Sequence, residues 1–252
     1  VALYLYCVIN GAAETNFGAG IDENEVYTIP YQNISAIVHK NAKPLEKDRE
    51  KIIEVVALHQ YILDCATLKF GTVLPFGPGV ITKGGEEKIT EFLGKNYTKF
   101  KEELDRVKNK SQIRVQIFWD NDLIISKIEK ENEEVKHLKS NMKTKPGTAF
   151  MLTRKIIRKE MDKKTEECFK EFYDQIRGIT EDITVEKTMM QMQEKWRGKE
   201  MIINLSCLVH KDKVEKLENT LKAINKMEGF SVRCTGPWPP FNFVSITQKD
   251  LR

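Results

Sequence analysis

Aromatic and aliphatic residues alternate through residues 3–9, and short apolar runs return at 26–30 and 34–39, with Gly18, Gly20 and the stretch 31–33 marking turns between them. Three such runs in the first forty residues predict an antiparallel sheet. From residue 45 to 66 the period changes. Ile52, Val55, Val56, His59, Ile62 and Leu63 recur at threes and fours, behind acids Glu46, Asp48 and Glu50 that a helix dipole favours in the first turns. This helix is expected to cover one face of the sheet. A short strand at 72–76 ends in Gly77-Pro78-Gly79, and a second helix carries Ile89, Leu93, Tyr97, Phe100, Leu104 and Val107 as one stripe.

A polar break at 108–111 separates this pattern from a new one. Ile113, Val115, Ile117 and Trp119 lie on one side of a strand. Residues 123–138 read as a charged helix, and the basic stretch 139–145 with Pro146-Gly147 interrupts it. A longer helix starts near Thr148, in which Phe150, Ile157, Met161, Cys168, Phe172 and Ile176 form a narrow stripe suited to a helical hairpin or short coiled-coil contact, and Gly178 stops it. Residues 183–192 and 201–209 read as a hairpin, the second strand placing Ile203, Leu205, Cys207 and Val209 on one face. A helix with Val214, Leu217, Leu221, Ile224 and Met227 follows, Gly229 ends it, and residues 230–234 supply a last strand. The expected fold class is therefore α+β in two domains. Residues 1–110 form an antiparallel sheet with helices; residues 111–252 form a ferredoxin-like βαββαβ domain with an extended, coiled-coil-like helical insertion.

Composition adds limits rather than identity. A length of 252 residues suits two domains, each with its own core, and 41 basic against 37 acidic residues leave a net charge of +4, too balanced for a long-range field that draws nucleic acid or anionic lipid. The opening run is too short to span a membrane and lacks the basic flank of a signal peptide. The five cysteines, Cys7, Cys65, Cys168, Cys207 and Cys234, are odd in number, unpaired in spacing and set in apolar runs, as expected of buried, reduced thiols in a cytoplasmic protein.

Catalytic chemistry finds little support. The four histidines His39, His59, His137 and His210 show no metal-ligand spacing, so no metal or other cofactor is expected. His59 and Cys65 could be a base and a nucleophile, but six residues on one helix set them about 240° apart, and a satisfied histidine at the core edge is the better reading. Neither Phe70-Gly71-Thr72 nor Gly77-Pro78-Gly79 matches a phosphate-binding fingerprint. A ferredoxin-like sheet raises RNA binding as an alternative, with Phe118 and Trp119 as stacking candidates. The run of basic and aromatic residues that such domains carry on a central strand is missing from 201–209. The cluster Arg154, Lys155, Arg158, Lys159, Lys163 and Lys164 reads as a solvated helix face, and Met189, Met190 and Met192 as core or edge packing.

The most distinctive segment lies near the end: Thr235-Gly236-Pro237-Trp238-Pro239-Pro240-Phe241-Asn242-Phe243-Val244. Each proline fixes its own φ and restricts the residue before it, so the segment is stiff before it folds, and it reads as a locked turn with Trp238 packed on its own domain or as a preformed recognition surface. It resembles the Gly-Pro-Trp-Pro-Pro-aromatic-x-Phe-Val ending of the gas vesicle protein F/L family. Residues 3–9, the 34–38 strand, His59, Val73-Leu74-Pro75-Phe76, Pro146-Gly147-Thr148-Ala149-Phe150 and Asn204 resemble further landmarks in the same order. After Phe76 the family usually has a basic residue and then Phe-Gly-Thr, where this chain has Gly77-Pro78-Gly79. The resemblance implies a non-catalytic accessory protein that acts at the gas vesicle within the cytoplasm. Its partners would be the small hydrophobic shell protein and other accessory proteins, with neither nucleic acid nor membrane involved. The expected contact surface is Pro237, Trp238, Pro239, Pro240 and Phe241, followed by Pro75 and Phe76.

Overall fold

The structure, a computed structural model, describes all residues except 13, 46, 141–145, 188–195, 197, 247–250 and 252. The expected Met189, Met190 and Met192 cluster, the end of the 183–192 strand, Glu46 and most of the 139–145 stretch thus lie outside the described residues. Helices and antiparallel strand pairs make up two compact units, Val1–Gln112 with Pro237–Arg252, and Ile113–Gly236. The sequence assigned 237–252 to the second domain. Here they group with the first unit, because Gln112 Oε1 accepts the Asn242 N–H at 2.9 Å, Ser245 donates to Glu103 at 2.7 Å, and Arg106 donates to the Phe243 carbonyl.

In the first unit, β1 (Ala2–Asn10) is the centre of a six-stranded sheet. On one side it pairs with β4 (Ile34–Lys40), which leads to β3 (Glu25–Tyr31) and then β2 (Asn16–Ala19). Its other edge is shared by two short strands, β5 (Val73–Pro75) opposite Cys7 to Ile9 and β6 (Ile81–Lys83) opposite Ala2 to Tyr4. The loop between them is tied to the middle of β1: Phe76 N–H donates to the Tyr6 carbonyl and Leu5 N–H to the Val80 carbonyl, both at 2.9 Å. Leu3 through Ile9 are all buried, so helices cover both faces of β1. Helix α1 (Arg49–Phe70) lays Ile62, Leu63 and Ala66 on Tyr4, Tyr6 and Ile9, while α2 (Gly85–Lys95) and α3 (Tyr97–Arg106) pack against β1 from the remaining segments.

Two sequence expectations shift by local chemistry. Helix α1 starts at Arg49 because the Asp48 carboxylate caps it, accepting from the N–H groups of Glu50 and Lys51. The single helix expected over 89–107 is broken at Asn96, whose φ of −111° and ψ of 14° end α2 and begin α3. Close packing also explains Gly20. A Cβ there would lie 2.5 Å from Val26 Cγ2 and 2.7 Å from Tyr6 Oη, so Gly20→Ala is expected to destabilise the first unit by about 2 kcal/mol. A lowered urea midpoint at an unchanged slope checks it.

In the second unit the sheet order is β10-β7-β9-β8, where β7 is Lys110–Asp120, β8 Asp182–Val185, β9 Lys199–His210 and β10 Phe230–Trp238. Strands β8 and β9 pair antiparallel, with Ile183 opposite Cys207, as the described part of the expected hairpin. Helix α6 (Pro146–Arg177) brings Phe172 and Ile176, and α7 (Val214–Lys226) brings Leu217, Leu221 and Ile224, onto the face formed by Ile113, Val115, Ile117, Trp119, Ile203, Leu205, Cys207 and Val209. Helices α4 (Asn121–Glu131) and α5 (Glu133–Ser140) pack along α6. They were expected as one helix. Asn132, with ψ of 112°, separates them, and its side chain accepts the Val135 N–H at 3.1 Å. Phe150, expected on the packed stripe of α6, is half exposed. All five cysteines are free, but Cys234 is exposed rather than buried because it lies on the edge strand β10.

Candidate functional site

The proline-rich segment is built as a mount. Pro237 and Trp238 close β10, an edge strand, where a residue without an N–H leaves no ladder bond unmade. Pro240 then takes φ −80° and ψ 58°, so that Phe241 N–H donates back to the Pro239 carbonyl at 2.8 Å in an inverse γ-turn. Phe243 N–H reaches the Pro240 carbonyl at 3.0 Å, which continues the turn. Pro239, Pro240 and Phe243 are buried, and Phe241 packs against the Tyr4–Ile62 core cluster. Asn242 is clasped from both sides by the Gln112 amide, at 2.9 and 3.3 Å. Of the five residues expected to make contacts here, Pro237 and Trp238 are exposed; Trp238 keeps 40% of its surface in solvent. The expected packing of Trp238 on its own domain gives way to display, since its proline neighbours fill the buried positions.

The second expected surface behaves differently. Pro75 and Phe76 are both buried, and the Phe76 ring meets Phe92 edge-on at 6.1 Å. Only Gly77 and Pro78 of that loop are exposed. What fixes the loop is a polar group that the sequence did not reveal. His59 Nε2 lies 3.0 Å from the Phe76 carbonyl and must donate to it, which leaves Nδ1 to accept from the Tyr4 hydroxyl at 2.8 Å; that hydroxyl in turn accepts the Gly79 N–H at 3.0 Å. Tyr6 and His39 form a second pair at 2.9 Å. The pairs interleave: Tyr4 stacks on His39 with centroids 4.8 Å apart, and Tyr6 stacks on His59 at 5.3 Å. Burial disfavours the charged ring and lowers both histidines to about 4, and it raises Tyr4 to about 12, so this quartet is neutral at physiological pH. It orders a loop and holds no proton ready for transfer near pH 7.

His59 was read as a satisfied core histidine, and its hydrogen bonds are of that kind. Its partners were not legible. Tyr4 and Tyr6 share a strand face by their spacing of two, yet nothing in the spacing of His39 and His59 places both rings against that pair. Elsewhere, the residues weighed for base stacking are already used. Trp119 is buried under α6 and α7, and Phe118 lies flat against Trp196 at 4.2 Å. Asn204, a landmark of the resemblance, is a clamp in the second unit. Its side-chain oxygen accepts from Arg114 and Gln116, both at 3.2 Å, and its amide donates to the Lys187 carbonyl. No group of three or more His, Cys, Asp or Glu side chains suited to a metal ion occurs among the described residues.

The landmarks and their geometry agree with comparison to known proteins. A family profile described as gas vesicle synthesis protein GvpL/GvpF matches residues 2–245. The chain belongs to the GvpL/GvpF family. It is 27% identical over 250 residues to gas vesicle protein L1 of Halobacterium salinarum, covering 95% of this chain and 89% of that one. It is 26% identical over 231 residues to gas vesicle protein L of Haloferax mediterranei, covering 89% and 72%. The fold is similar to the crystal structure of GvpF from Anabaena sp. PCC7120, with a TM-score of 0.77 at 18% identity over 98% of this chain and 99% of that one. GvpL/GvpF membership makes this a gas vesicle protein with an accessory role. Among its described residues no helix is long and apolar enough to cross a membrane.

Proposed function

We propose that this protein binds the small hydrophobic shell protein and other accessory proteins during gas vesicle assembly, acting at the vesicle within the cytoplasm by contact and without turnover. The observation that carries the reading is Trp238. A large aromatic held 40% exposed on a stiff, buried proline turn loses little entropy on binding and supplies much contact area. Shell subunits with large apolar surfaces need cover before they assemble, and such an anchor offers it. We also read the second unit as ferredoxin-like, a proposal supported by its strand order β10-β7-β9-β8 and by the helices between β7 and β8 and between β9 and β10.

Trp238→Ala separates recognition from packing. With the side chain already part-exposed, the variant is expected to lose no more than about 1 kcal/mol of stability while recovery of co-expressed shell protein falls at least about tenfold, a loss of 1.4 kcal/mol or more in binding. Unfolding of the first unit with binding lost in proportion would favour a purely structural tryptophan. Retained binding would move the contact elsewhere.

A further inference from the structure

Within the second unit, the outer face of α6 carries a charge pattern that works against its own helix. Arg154, Lys155, Arg158 and Lys159 are all exposed, and no acid among the described residues lies within ion-pair distance of any of them. The next lysines along the helix are paired, Lys163 with Glu167 at 3.9 Å and Lys164 with Glu131 at 3.6 Å. The four cations instead stand as two like-charged pairs, Arg154 with Arg158 and Lys155 with Lys159, each four residues apart and so adjacent on the helix surface. Such pairs destabilise a helix, whereas acids at the same spacing would stabilise it and serve solubility equally well. Asp162 is the first exposed acid beyond them.

An apolar step heads this band. Phe150, Met151 and Leu152 are 51%, 69% and 44% exposed, three large apolar residues in a row. At 3.6 residues per turn Met151 falls in line with the cations, which follow it about 5 to 12 Å along the axis. Exposed apolar surface rimmed by charge marks an interaction site.

The order of these groups selects among anionic partners. A helix that lies on a membrane carries its apolar and basic residues on opposite faces along its length, whereas here they succeed one another on one face. Single-stranded nucleic acid wants aromatic rings free for stacking. The one ring of the patch, Phe150, already has the Arg154 guanidinium over it at 5.6 Å, and Met151 and Leu152 are aliphatic. An acidic polypeptide helix meets both demands, with aliphatic side chains in one turn and carboxylates in the next two. Its acids belong in its N-terminal turns, where the helix dipole favours them, so it runs antiparallel to α6.

We infer that this face of α6 docks an acidic amphipathic helix of a partner protein, its aliphatic turn on Met151 and Leu152 and its carboxylates on the four cations. The contact goes beyond the shell-protein contact proposed above and does not depend on it. Each carboxylate that arrives relieves a repulsion already present in the free chain.

The probe is a synthetic helical peptide with glutamates in its first two turns and leucines in its last, fluorescently labelled and titrated with the whole chain at physiological salt. A version with serine for leucine, oligothymidylate and phosphatidylglycerol vesicles are titrated in parallel. The glutamate–leucine peptide should bind saturably and at least about tenfold tighter than the serine version. Arg158→Glu with Lys159→Glu turns both repulsive pairs attractive, so the urea midpoint should hold or rise while peptide affinity falls at least about tenfold. Met151→Ser should weaken the same peptide without lowering the midpoint. Equal binding of the two peptides would reduce the patch to a solvated charge and overturn the inference. Tighter binding of oligothymidylate or vesicles, or peptide binding untouched by the charge-reversed variant, would overturn it as well.

Discussion

Replacing His59 with leucine should destabilise the first unit by about 3 kcal/mol, the largest effect expected of any single substitution in the quartet. The imidazole is 2% exposed and serves two partners. Leucine fills much of the same space, so the cost is polar. The Phe76 carbonyl loses its donor and the Tyr4 hydroxyl its acceptor inside the core, and each buried group left unmet costs about 1 to 3 kcal/mol. The loss should be local before it is global. The Gly79 N–H, now bonded to Tyr4 at 3.0 Å, should exchange with solvent faster in the variant, because the chain of bonds holding the 76–79 loop is cut at its centre. Urea titration gives the first quantity and amide hydrogen exchange the second. A midpoint within error of wild type would mean that the loop is held by its strand neighbours β5 and β6 alone. Leu68→Ala on the same helix is the control: Leu68 is 88% exposed and its removal should change stability little.

Acid should destabilise the first unit in a window set by the same rings. Burial lowers His39 and His59 from 6.5 to about 4 in the folded protein. Between those values the unfolded chain binds protons that the folded chain refuses, so stability rises with pH across the window and is lost as pH falls from 6.5 towards 4. Above 6.5 both states are neutral and the two histidines impose no slope. Each ring contributes on the order of 3 kcal/mol across the whole window, since one pK unit corresponds to about 1.4 kcal/mol. Urea midpoints measured between pH 7.5 and 5 isolate the effect from most carboxylate titration. The midpoint should hold steady down to about pH 6.5 and then fall, with about half the slope in His59→Leu measured against its own pH 7.5 value. A flat profile in wild-type protein would mean that the rings take up protons in place.

How far this structure could be read from sequence depends on how local each signal is. Strands β1, β3 and β4 and helix α1 were legible because their periods run long enough to be unambiguous, and the strand containing Ile203, Leu205, Cys207 and Val209 was legible for the same reason. Strands β2 and β6 were not: at 4 and 3 residues they carry no period, and they exist because a neighbouring edge offers hydrogen bonds. The break at Asn96 was not legible because the apolar stripe of 89–107 runs through it, and the one at Asn132 because its side-chain cap is a single local hydrogen bond within a charged stretch. The proline segment was recognised as stiff, but which of its residues face solvent depends on Gln112, Arg106 and Glu103, distant in sequence. The quartet depends wholly on tertiary contact. Tyr4 and His59 are 55 positions apart, and nothing in either neighbourhood announces the other.

The account turns on direct association with the shell protein. Sedimentation velocity of the purified chain, alone and with purified shell protein from the same gene cluster, measures it without reference to vesicles or cells. A faster boundary containing both proteins, saturating as shell protein is added, is the predicted result. Two boundaries that stay independent at every ratio would contradict it.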